Sequence, residues 1–133
     1  MPDTLKNQTA YPQHTAQKEG LGFPIMRMVV LLPLATAMIG GMAMGPYEGG
    51  MGETTLFRKL LHTLNAGDIL VANRYYCSYF MITLLLETGV DFAVRLHQLC
   101  TANFRRGRRL GKGDHVVAWP RPAKPDWMDA ETY

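Results

Sequence analysis

Acids are scarce in this chain and unevenly placed. Its 133 residues hold 11 of them against 14 Lys and Arg, and none lies between Arg95 and Lys112. Charged residues make up 19% and apolar ones 47%, which excludes a disordered acidic tail and permits one modest core. Cysteine is nearly missing. Cys77 and Cys100 are too few, and too distant in sequence, for a disulfide scaffold or a four-cysteine zinc site. They read as reduced thiols of a cytosolic protein. The histidines His14, His62, His97 and His115 show no ligand spacing and read as structural. The polar start, Met1-Pro-Asp-Thr-Leu-Lys-Asn-Gln8, argues against a secretory leader. Net charge is +3 with an isoelectric point near 9.0, mildly basic overall.

One long uncharged run stands out: residues 28–45, eighteen positions, the lower limit for a membrane-spanning helix. Pro33 in its middle, Gly40, Gly41 and Gly45 in its second half, and the lack of an aromatic belt beside Arg27 weigh against a span. Two buried strands, 25–32 and 38–44, are the preferred reading, because central strands show continuous apolar runs. A small membrane protein is the distant alternative.

The periodicity orders the rest. Residues 1–20 read as a solvated polar arm. After a glycine-rich loop at 46–52, Leu56, Phe57, Leu60, Leu61 and Leu64 follow helical spacing, with Thr54 or Thr55 as cap. Residues 69–72 predict a short strand, 78–87 a helix stopped at Gly89, and 90–96 another strand. Strands alternating with helices over short connections argue for an α/β fold with some parallel pairing in a core at 21–96. Beyond it, 97–133 reads as a basic loop and a strap rich in Pro and Trp. Arg95, Arg105, Arg106, Arg108, Arg109 and Lys112 place six cations in eighteen residues. Such a run is either a solvated loop or a phosphate-contacting surface, since arginine forks grip phosphate oxygens and release counterions from DNA. Gly107, Gly111 and Gly113 would let backbone approach a ligand, and Phe104 is expected to anchor the loop to the core. Asn73-Arg74 ends a strand, where α/β proteins place their chemistry, but an Asn-Arg pair there reads as a turn. Composition and spacing give a basic α/β domain and no reaction.

An ordered series of segments adds to this. It runs Gly52-Glu-Thr54, then Gly67-Asp-Ile-Leu-Val-Ala-Asn-Arg-Tyr-Tyr-Cys-Ser-Tyr-Phe80, then Gly89-Val-Asp-Phe-Ala-Val-Arg95, then Asn103-Phe-Arg-Arg-Gly-Arg-Arg-Leu-Gly111 and Asp114-His-Val-Val117. With Met1-Pro-Asp-Thr4 and Gly22-Phe-Pro24, it resembles bacterial insertion-sequence transposases of the DDE class, the family with the Tyr-Arg-Glu-Lys signature, across essentially the whole chain. The resemblance implies a partial ribonuclease H-like mixed sheet with flanking helices and the first strand missing. It implies DNA cleavage and strand transfer by two magnesium ions held on three acids.

The chain departs from that pattern at the chemistry. Asn73 stands where the family's Ala-Asp-Arg-Tyr motif has its second acid. The first acid is expected before Met1 and the third beyond Tyr133; Asp3 and Asp68 are not substitutes. The expectation is therefore a truncated, catalytically inactive transposase fragment with no magnesium bound. It is expected to touch DNA through Arg74, Arg95, Arg105, Arg106, Arg108, Arg109 and Lys112. A non-catalytic remnant that binds DNA or pairs with an intact transposase is the alternative. The expected location is cytoplasmic and nucleoid-associated, with no membrane partner.

Overall fold

The uncharged stretch doubles back on itself in the structure, a computed structural model that describes residues 1–100 and 103–133. Strand β1 (Met26–Leu31) pairs antiparallel with β2 (Gly41–Pro46), and Gly40 donates to the Leu31 carbonyl to close the connection. The second strand starts at Gly41 and not at Met38, because Pro33 turns the chain and Ala37 takes a left-handed backbone (φ 54°) inside the loop. Among the described residues, no helix is long and apolar enough to cross a membrane. The run from 28 to 45, weighed as a spanning helix, is a hairpin turned between Pro33 and Gly40.

The chain forms two compact units, Met1–Asn65 and Ala66–Tyr133, where the sequence suggested one core over 21–96. In the first unit, the period-2 pattern of the hairpin sorts its faces. Val29 pairs with Ala43 on the buried face, while Met28 and Met44 pair on the exposed one. The buried face takes α2 (Glu53–Arg58), whose Leu56 and Phe57 are almost fully covered, as is Leu60 just beyond. Burying a Leu or Phe side chain stabilises by about 1.5–3 kcal/mol. Two glycines allow the close approach: a Cβ on Gly45 would lie 3.2 Å from Leu56 Cδ2, and one on Gly41 3.1 Å from Thr63 Oγ1.

The expected helix over Leu56–Leu64 is cut short. It starts at the Gly52 N-cap, with no help from Thr54 or Thr55, and ends at Arg58. A 3-10 turn (Leu61–Thr63) follows, where the Thr63 hydroxyl donates to the Leu60 carbonyl and competes with helix continuation. The supposed arm holds a one-and-a-half-turn helix, α1 (Leu5–Ala10), capped by the Thr4 hydroxyl. Gln8 and Gln13 tie that region to the backbone of Gly22.

In the second unit, β3 (Ile69–Ala72) and β4 (Asp91–Val94) pair in parallel, and α3 (Tyr79–Glu87) makes the crossover between them. Ser78 caps α3 by accepting from the Met81 amide, and Gly89 (φ 75°) stops it where the sequence placed the stop. α3 is apolar nearly all round because it has two partners. Met81 and Leu85 are buried on its core side, α3 contacts β4, and the C-terminal strap covers Tyr79 and Phe80 through Trp119, Trp127 and Tyr133. The segment expected as a basic loop forms a hairpin instead, β5 (Arg108–Gly111) against β6 (Asp114–Val116). The reading of 97–133 also takes in Thr101 and Ala102, which lie outside the described residues.

The α/β class expected from the sequence is what the structure has. A single mixed sheet is not: the described strands form three separate two-stranded sheets. The physical reason is local. β1 and β2 satisfy each other across a short loop, and β5 and β6 do the same across a tight turn.

Candidate nucleic-acid interface

Parallel pairing brings Asn73 and Arg95 to one edge. Ala72 lies opposite Val94, so the next residue of each strand emerges at the carboxyl end of the pair. Asn73 is exposed and structurally engaged: its Oδ1 accepts from the Tyr75 amide at 2.8 Å and caps a 3-10 turn (Arg74–Tyr76). Asp68 precedes β3 at the opposite end, where its carbonyl accepts from the Asp91 amide. The carboxyl edge thus carries one side-chain amide oxygen, already in use, and the exposed cations Arg74 and Arg95. A divalent cation needs several oxygen donors with negative charge among them, and this donor set does not fit one. Among the described residues, no group of three or more His, Cys, Asp and Glu side chains could hold a metal.

The remaining cations collect on and before the β5–β6 hairpin. Arg105 is fixed by its amide donating to Asn103 Oδ1 at 3.0 Å, and Arg106 by its amide donating to the Asn103 carbonyl. Arg108 and Arg109 lie on β5 opposite Val116 and His115, and Lys112 sits in the turn beside Gly113 (φ 77°). All five side chains are exposed. Arg109 reaches the Gly111 carbonyl through Nε at 3.1 Å, and no described carboxylate forms an ion pair with any of the five. Gly107 lies so close to the Val116 carbonyl that a Cβ has no room there. Phe104 does not anchor the segment to a buried core. It is half exposed and meets the His115 ring edge-on, centroids 6.2 Å apart, so it braces the hairpin itself.

The structure therefore places the seven predicted contact residues in two groups within one unit: Arg74 and Arg95 at the β3–β4 edge, and Arg105, Arg106, Arg108, Arg109 and Lys112 around the hairpin. Exposed guanidinium and ammonium groups without carboxylate partners can meet phosphate oxygens without first giving up an ion pair. What the sequence reading missed was the hairpin, although Gly111-Lys-Gly-Asp114 carries turn chemistry. It also missed the approach of the two cysteines, for which no local signal exists: their Sγ atoms lie 4.0 Å apart. Burial, then the nearby Cys77, pushes the Cys100 thiol above its ordinary pKa.

No family model matches the chain, and no solved structure matches it. It is similar to "Transposase InsG for insertion sequence element IS4" of Escherichia coli (strain K12), 24% identical over 116 residues, which is 87% of this chain and 26% of that protein. The chain thus spans about a quarter of that relative's length.

Proposed function

We propose that this chain is a transposition-related fragment that contacts nucleic-acid phosphates through the β5–β6 hairpin and does not cut DNA. The observation that carries the reading is the likeness to the Escherichia coli transposase, which extends over 87% of this chain and so through both the Asn73 and the arginine segments. The exposed hairpin cations support the DNA half. The position of Asn73 supports the other half: in the resembling family an acid stands there, and here an amide does. In this reading β3, α3 and β4 are a remnant of a ribonuclease H-like sheet, with Asn73 at the edge that such sheets use.

Arginine forks on phosphates read no base, so binding is weak, independent of sequence and steeply dependent on salt. The test is titration of duplex DNA at several salt concentrations. Replacing Arg105, Arg106, Arg108 and Arg109 with Ala should reduce the slope of log K against log salt by about three to four units. An unchanged slope would assign the run to solvent. In the same preparation with magnesium, neither the natural chain nor Asn73→Asp should nick DNA. Nicking abolished by a chelator would overturn the non-catalytic part alone.

A further inference from the structure

We propose that Cys77 and Cys100 are a thiol–disulfide exchange site, at which a small-molecule disulfide such as glutathione disulfide converts two free thiols into one intramolecular bridge. The proposal stands apart from the DNA reading. Both thiols are free, and their Sγ atoms lie 4.0 Å apart although 23 positions separate them in the chain. Each is held by its own turn: the Cys77 amide donates to the Arg74 carbonyl at 3.1 Å, and the Cys100 amide to the His97 carbonyl at 2.9 Å. The Cys100 thiol also donates to the Cys77 carbonyl at 3.5 Å, which keeps its sulfur over the Cys77 backbone. The sulfurs need to close by about 2 Å to reach bonding distance.

The two thiols differ in access. Cys77 is buried and Cys100 is partly exposed, which orders the steps. The Cys100 thiolate, its proton lost to solvent, attacks one sulfur of glutathione disulfide. That S–S bond breaks, and one glutathione leaves as thiolate. The Cys77 thiolate then attacks Cys100 Sγ in the mixed disulfide, and the second glutathione leaves. Two protein thiols are oxidised and one disulfide is reduced to two thiols, so electrons and protons balance. The raised pKa of Cys100 keeps most of it protonated near neutrality, which makes the exchange slow without preventing it. Cys77 lies between the Asn73 turn and α3, and Cys100 lies between β4 and the arginine-rich segment. The bridge would close a covalent loop around α3 and β4, and would tie the start of the helix to the approach to the hairpin.

The full chain is equilibrated across glutathione redox buffers, and remaining thiols are alkylated and mapped by mass spectrometry. Both thiols should vanish together, giving a monomer that lacks two hydrogens and a cross-linked peptide pair containing residues 77 and 100. Cys77→Ser should stop at a glutathione adduct on Cys100, and Cys100→Ser should leave Cys77 largely unmodified. In urea the equilibrium constant for bridging should fall about tenfold or more, because the fold no longer holds the loop closed. Independent modification of the two thiols in the folded chain, disulfide-linked dimers, equal bridging in urea, or no bridge at any buffer ratio would each overturn the proposal.

Discussion

Three small polar side chains, Thr4, Asn73 and Ser78, each accept a backbone amide at the start of a helical turn. At Ser78 the acceptor serves a nine-residue helix with Leu85 fully buried, so a lost cap is felt by the core of the second unit. Ser78→Ala is expected to destabilise that unit by about 1 kcal/mol, read as a lowered urea midpoint. Asn73→Asp should shift the midpoint by less than about 0.5 kcal/mol, since Asp caps as well as Asn does. Asn73 is thus structurally engaged, and only its exchange for another capping residue is nearly silent in the fold. The Gly89 stop was legible in the sequence because capping is local, whereas the Ser78 cap was not singled out there. Thr54 and Thr55 misled, because the helix already starts at Glu53 behind a Gly52 cap, which puts both threonines inside it.

At the scale of the element, β5 shows why a charged strand escapes a reading by periodicity. Its sequence, Arg-Arg-Leu-Gly, has no apolar alternation, since no side chain of the four is buried. What holds it is main-chain pairing to β6, the Gly113 turn and the absence of a side chain at Gly107. Gly107→Ala is expected to displace the strand from the Val116 carbonyl and to remove amide exchange protection over 108–116. It should change the salt slope for DNA by less than about one unit, because counterion release counts charges and not their fold. Protection that survived the substitution would mean that the hairpin backbone can move aside at no cost. By contrast, β3, α3 and β4 were legible to within about two residues, because their patterns are apolar and their stops are glycines. The pairing of strands was less so: the choice between one mixed sheet and several small ones rests on long-range contacts that no local pattern encodes.

At the scale of the whole molecule, the two units keep separate cores. Val29, Ala43, Leu56, Phe57 and Leu60 are buried in the first, and Cys77, Met81, Leu85, Val90 and Met128 in the second. Cores of this size leave units of about 60 residues marginal, and two-stranded sheets add little independent stability. Both tryptophans, Trp119 and Trp127, lie in the second unit. Tryptophan fluorescence therefore reports that unit alone, whereas far-ultraviolet circular dichroism reports both. Heating should give broad transitions whose midpoints differ between the two probes. One sharp transition, coincident in both, would show that the units melt together.

The β1–β2 pairing has a kinetic consequence. Its strands are joined by residues 32–40 alone, so their ladder forms as a local event, on the scale of about 1–10 microseconds for a hairpin. The β3–β4 ladder must wait until α3 has brought its second strand round in parallel, a slower, non-local closure. During synthesis the N-terminal unit also leaves the ribosome first. The long uncharged run of the chain thereby finds a partner early, and that partner is itself: the run from 28 to 45 folds its backbone donors away before the rest of the polypeptide has been made.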